Sequence, residues 1–560
     1  MLRYVQTNMG CIIVATNKVN FTDALQSVDL LLREVKSLSP QARAMFKLLA
    51  DIIVIQAEQL QRAKEQIQAL SDEIAVLKGN KPRPKIPKST LEGKDAKKDG
   101  EKGDESKRPG SDKRSKTAQL IIHETVTLIP EGISKGWVFK GYSDVVVQGL
   151  VIEPHNIKYR RGRWLTPAGE TVIAPLPVGI SGHFNPTLIS YIQHQYFACR
   201  VTQPLLLEQL CEIGIDISSG QLNEILTGNK DAFHDEKAGI LAAGLRVSDF
   251  IQTDDTGARH EGKNGYCTCI SNDLFAFFSS TGSKSRINFI ELLRAGHSDY
   301  LINLDAFAYI QQQGLNQSVV DQLHESDVKH FIDREAWQAH LKSLCITSVR
   351  HVRVITEAAL LASAISHGLP RNMVVLSDDA GQFNILIHAL CWIHAERIIN
   401  KLIGFNDDQR AAVAKIRDEI WGLYKKLKAY KVSPSEILRE EIDGEFTKIF
   451  AQKTCFESLN QALIRIGLNK PELLRVLDYP MIPLHNNGCE TDIRDPVTKR
   501  KVSGGTQSHI GRMARDTFTS LKRTCRKLGV SFWKYLNDRN AALNHIPSLG
   551  ELIMAKAATR

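Results

Sequence analysis

Three features of this sequence predict a mixed α/β chain of several domains. Consecutive strand patterns (Phe250-Ile251-Gln252-Thr253, residues 265–270 and residues 274–278) precede a helix and a further buried run, Met373-Val374-Val375-Leu376-Ser377. Long helical stretches lie before and after these strands. At 560 residues the chain exceeds one ordinary core, and 43% hydrophobic residues suffice to fill several.

Residues 1–40 carry no clear pattern. Residues 41–79 read as a helix in which Leu60, Ala63, Ile67, Leu70, Ile74 and Leu77 form a heptad seam; a coiled coil and a helix packed on its own domain both fit. Residues 80–117 are Lys, Asp, Glu, Gly, Ser and Pro with almost no large apolar side chain, the composition of a disordered charged linker. Residues 118–180 predict a small β-rich module from apolar or alternating runs at 120–122, 126–129, 145–152 and 171–173. There Lys158, Arg160, Arg161 and Arg163 flank Tyr159 and Trp164, a pattern open to a DNA-backbone contact or a solvated hairpin.

Residues 181–245 are helical. A helix over 203–214, a short turn and a second helix capped by Ser218 or Ser219 give a helix-turn-helix-like outline. The second helix is not basic, so a purely architectural pair fits equally. Residues 246–400 hold the strand-bearing core, with a charged helical insertion at 296–371; 401–485 is a further helical insertion and 486–545 a basic, partly helical end.

The net charge of +10 points to a polyanionic partner. No run approaches the ~18–20 apolar residues that span a bilayer, residues 9–16 lack the length and basic flank of a secretory signal, and the ten cysteines show no disulfide spacing. These features predict a cytoplasmic protein with reduced thiols and no membrane partner. Cysteine is absent between Cys11 and Cys199, so no zinc is expected in the β-rich module.

The chemistry is sought in three acidic stretches. A short apolar run delivers Asp254 and Asp255 into a Thr256-Gly257 turn, the 373–377 run ends in Asp378 and Asp379, and Asn486-Asn487-Gly488-Cys489-Glu490 opens the basic end of the chain. Two Mg²⁺ ions about 3.5–4 Å apart can clamp the attacking and leaving oxygens of a phosphodiester, and hard carboxylates on rigid mounts are the ligands such ions need. Spacing alone also fits ordinary turn chemistry, and leaves open which aspartate of each pair matters. Cys391 and His394 are spaced like half a metal site without a second pair, so packing or site support is the reading for both.

Three ordered blocks resemble those of the insertion-sequence-66 family of bacterial transposases. They are Thr253-Asp254-Asp255-Thr256-Gly257; Ser377-Asp378-Asp379-Ala380-Gly381-Gln382-Phe383 with Cys391-Trp392-Ile393-His394-Ala395-Glu396-Arg397; and residues 486–494 with Lys499-Arg500-Lys501. The sequence departs from the family pattern at His485, Thr491, Asp379 and Ala380. The resemblance implies a ribonuclease-H-like catalytic domain with an Asp-Asp-Glu triad: Asp254, Asp378 and Glu490 as catalytic metal ligands for Mg²⁺, with Mn²⁺ as substitute. It further implies double-stranded DNA, both element ends and target, as partner of a homodimer or higher oligomer, contacted through His394, Arg397, Arg494, Lys499, Arg500 and Lys501. The expected activity is metal-dependent strand cleavage and strand transfer in DNA transposition. The alternatives are an inactive DNA-binding or assembly protein and a nuclease on the same fold.

Overall fold

The computed structural model describes residues 120–132, 137–180 and 182–559. The predicted coiled coil and charged linker lie outside these residues. The chain divides into two compact units, with a boundary at Glu153/Pro154.

Before that boundary the described residues form no helix or strand, and Ile121, Leu128 and Val147 are exposed. The β-rich module is therefore corrected to one hairpin beyond the boundary, β1 (Arg163–Leu165) paired antiparallel with β2 (Thr171–Ile173). Apolar runs become a stable sheet only with several strands or a covering layer, which the described residues do not supply here.

Helices α1 (Pro186–Gln193), α2 (Gln203–Glu212), α3 (Ser219–Thr227) and α4 (Asp231–Val247) follow. The predicted helix pair is α2 and α3. Gly214, at φ +85°, turns the chain after α2, and Ser218 with Gln221 closes a reciprocal capping box at the start of α3.

The central strands are β3 (Phe250–His260), β4 (Lys263–Ser271) and β5 (Ala276–Thr281). Asp254, Asp255, Thr256 and Gly257 all lie within β3, so the turn expected at Thr256-Gly257 is corrected: the chain reverses at Glu261 and Gly262, both at positive φ. That is the two-residue hairpin geometry whose twist matches the strands. Next come α5 (Arg286–Leu293), β6 (Tyr300–Leu301), α6 (Leu304–Gln312), α7 (Gln317–Glu325), β7 (His330–Phe331), α8 (Arg334–Ser343) and α9 (Val349–Ser366). The insertion at 296–371 is no independent body. Ile310, Leu341 and Leu360 belong to the same apolar cluster as Ile251 and Val375 of the sheet.

After α9 the chain forms β8 (Val374–Ser377), β9 (Ile387–Leu390), α10 (Trp392–Asn400), α11 (Asp407–Val432), α12 (Glu436–Phe450), α13 (Glu457–Leu468) and the single turn α14 (Lys470–Leu473). It ends with α15 (Asn487–Ser503), α16 (His509–Leu528), α17 (Phe532–Asn540) and α18 (Leu549–Ala558). The five-stranded sheet runs β5-β4-β3-β8-β9, antiparallel across β5-β4-β3 and parallel across β3-β8-β9.

An unpaired edge strand invites mispairing, and α16 covers β5 with side chains. The backbone N–H groups of Ala276, Phe278 and Ser280 donate to Thr524 Oγ1, Ser520 Oγ and Asp516 Oδ2 at 3.2, 2.9 and 2.7 Å. Residues four apart on the helix thus meet residues two apart on the strand, because one helical turn and two strand residues advance by similar lengths. Among the described residues, no helix is long and apolar enough to cross a membrane.

Candidate catalytic site

Parallel pairing of β3 with β8 sets Gln252 beside Leu376, so two residues further along, Asp254 and Asp378 project from neighbouring strands. Thr253 and Ser377, just before them, are fully buried, which makes the mounts rigid. Successive strand side chains point to opposite faces, separating Asp254 from Asp255. Asp255 accepts hydrogen bonds from Thr268 Oγ1 and Gln382 Nε2, and Asp379 pairs with Arg465. The second aspartate of each pair is therefore held by protein groups.

Glu490 comes from the first turn of α15. Asn486 Nδ2 donates to Thr253 O at 2.8 Å and Gln252 Nε2 donates to His485 O at 2.9 Å, docking the helix start on β3. Gly488 permits this approach, since a Cβ there would fall 2.2 Å from Gln252 Oε1. Behind it, Cys489 is buried with Cys267 and Cys269.

The three carboxylates share one electrostatic field. Burial, with the charges of Asp378, Glu490 and Asp255, raises the Asp254 carboxyl to about 7, against the opposing backbone N–H of Asp255. Glu490 Oε1 is buried without a hydrogen bond; Arg397 Nη1 and His394 Nε2 stand 3.6 and 3.7 Å away. Burial lowers the pKa of His394, with Arg397 and Lys401 acting the same way and Glu490 and Asp378 opposing.

Mutually repelling carboxylates and a buried carboxylate oxygen that accepts no hydrogen bond fit a hard divalent cation. Among the described residues, the group of potential ligands that closes to within 4.8 Å is a different one, so Asp254, Asp378 and Glu490 are more open than a single-ion cage.

Two cavities flank the acidic centre. One of about 420 Å³ is lined by Asp378, His394, Arg397, Lys401 and Arg465 over an apolar floor that includes Leu390 and Ile466. The other, about 360 Å³, runs beside β3 and β4 past Arg259, Lys263, Arg500, Arg512 and Arg515.

Of the basic residues singled out in the sequence, His394 and Arg397 border the first cavity and Arg500 the second, while Arg494 and Lys501 are exposed on α15. Lys499 turns inward. It is 6% exposed and donates to Tyr196 O at 2.9 Å, with its ammonium over the Tyr196 ring. Much of the basic character of α16 is also internal: Arg523 and Lys527 pair with Asp492, and Lys522 pairs with Asp495. Arg286 is likewise tied to protein, through Tyr309 and the Gly381 carbonyl. Gln252, Gln382 and Arg465 escaped sequence reading. Their partners lie more than 80 positions away in every case.

A family model described as Transposase IS66 family matches residues 369–514, a span that includes Asp378 and Glu490 and begins after Asp254. An uncharacterised protein of Sinorhizobium fredii is 42% identical over 321 residues, covering 57% of this chain and 100% of that protein. No solved structure matches the chain. Divalent metal is what such a family implies, and the carboxylate centre has the donors for it. A domain of the IS66 transposase family therefore spans residues 369–514, and two of the three motif blocks fall within it.

Proposed function

We propose that this protein is a DDE transposase of ribonuclease-H-like fold that cuts the ends of a mobile DNA element and joins them to target DNA. The observation that carries the reading is the electrostatic meeting of Asp254, Asp378 and Glu490, drawn from positions up to 236 residues apart. The strand order, with three antiparallel strands and two more parallel to the first, supports the fold assignment.

In this reading the three carboxylates hold two Mg²⁺ or Mn²⁺ ions, which when bound supply activation of the nucleophile and stabilisation of the leaving oxygen. The protein's own residues do the rest. Parallel strands fix Asp254 and Asp378, and α15 brings Glu490 over them through Asn486. His394 and Arg397 stand beside Glu490 and restrain its carboxylate. They also face the cavity where a phosphate would meet positive charge. Arg500, Arg512 and Arg515 hold the DNA backbone along the second cavity, and Arg494 and Lys501 meet it from the exposed side of α15, through sequence-independent contacts.

The test is a gel assay on DNA carrying the element ends. Alanine replacements of Asp254, Asp378 and Glu490 are each expected to abolish strand joining while DNA binding persists; full activity in any one removes that residue from the site. Cleavage without joining by the wild-type protein would mark a nuclease instead.

A further inference from the structure

The helical insertion gathers three histidines around one aspartate, away from the acidic centre. We propose that His297, Asp299 and His367, completed by His330, bind a zinc ion. The potential ligand atoms of His297, Asp299 and His367 all lie within 4.8 Å of one another. His367 Nε2 is 2.9 Å from Asp299 Oδ1, and His330 Nε2 is 3.2 Å from Asp299 Oδ2. The His297 and His367 rings stack face to face with centroids 3.5 Å apart. Tetrahedral zinc with donors at about 2.0–2.2 Å sets neighbouring donor atoms roughly 3.3–3.5 Å apart. His367 Nε2 and His330 Nε2 stand near that separation from Asp299; binding would draw the ligand atoms of His297, Asp299 and His367 together, bring His330 toward the other two histidines, and shift the carboxylate from hydrogen bonding to coordination.

The mounts suit a site that joins segments. His297 follows α5, Asp299 precedes β6, His330 lies on β7 and His367 caps the C-terminus of α9. Asp299 is also supported by outer partners: Ser363 Oγ donates to Oδ1 at 2.9 Å, and Arg294 Nη1 donates to its backbone carbonyl at 2.9 Å. Second partners of this kind orient metal ligands. Imidazole with a single carboxylate favours zinc and its transition-metal neighbours over Mg²⁺, which prefers oxygen. The expectation of no zinc rested on missing cysteine pairs, whereas this cluster uses histidines at positions 297, 330 and 367, too far apart in sequence to form a motif. A bound ion would clip the loop after α5 and β7 to the end of α9, just before the chain enters β8.

The full-length protein, stripped with a chelator, is titrated with Zn²⁺ by calorimetry and with Co²⁺ by visible absorption. One high-affinity equivalent and a tetrahedral Co²⁺ band are expected, both unaffected by millimolar Mg²⁺ and by the double replacement Asp254→Asn/Glu490→Gln. His297→Phe keeps a ring to stack on His367 but offers no donor atom, and should weaken Zn²⁺ binding at least about tenfold with unchanged circular dichroism. If that variant fails to fold, His330→Ala, at an exposed position, is read for the same loss. Wild-type protein that takes up no Zn²⁺, or a folded variant that binds it as tightly as wild type, would overturn the assignment.

Discussion

Asn486 Nδ2 donates to the backbone carbonyl of Thr253 at 2.8 Å, so the residue before Asp254 and the residue four before Glu490 are tied together. This buried bond joins strand to helix at the point where their carboxylates must meet. Nothing local in either segment requires it.

The acidic centre should strain the metal-free fold. With its folded pKa near 7 and a usual value of 3.8, the Asp254 carboxyl contributes most favourably below about pH 4, and that contribution is lost as pH rises through 7. Asp254→Asn removes the charge. In chelator at pH 8 the variant should be more stable than wild type by on the order of 3 kcal/mol, and the gap should close as pH falls toward 4. Urea denaturation of both proteins at several pH values measures it. Mg²⁺ should raise the wild-type midpoint more than the variant's.

Gly488→Ala should undock the start of α15. The new methyl would lie 2.2 Å from Gln252 Oε1, and relief by rotating Gln252 costs its bond to His485 O. A destabilisation of about 1–3 kcal/mol is expected. Strand joining should fall further than stability does, because Glu490 shifts with the helix. The second change Gln252→Ala makes room, and calorimetric melting of the single and double variants checks whether it restores stability.

Adjacent basic residues on α15 should behave differently toward DNA. Burial, with Arg515, Lys522 and Arg200 nearby, lowers the Lys499 pKa to about 7, and Lys499→Met should leave the salt dependence of DNA affinity unchanged. Arg500 borders the open cavity beside β3, so Arg500→Ala should reduce the slope of log affinity against log salt by about 1. Binding titrations at several salt concentrations separate the two, and equal slopes for the two variants would remove Arg500 from the interface.

The central strands and the helices around them were legible because each carries its own apolar period and end signals, such as Ser218 at the start of α3 and the unbroken run before Asp378. The region before the Glu153/Pro154 boundary misled for the same reason. Its alternating apolar residues satisfy the strand pattern, but strands are stable only when something pairs with and covers them. The turn at Thr256-Gly257 failed because glycine was read as a break, whereas pairing with β4 carries β3 on to His260.

By itself the sequence determined which residues carry charge and where strands and helices begin, since both depend on side chains close together along the chain. Its motif blocks also named the family. Tertiary structure alone decided that Lys499 faces a tyrosine ring, that Asp255 and Asp379 are engaged by protein partners, and that Asp254 shares its field with Asp378 and Glu490. Each of these depends on strand register and helix docking, which join residues separated by tens to hundreds of positions, and local pattern does not encode such distances.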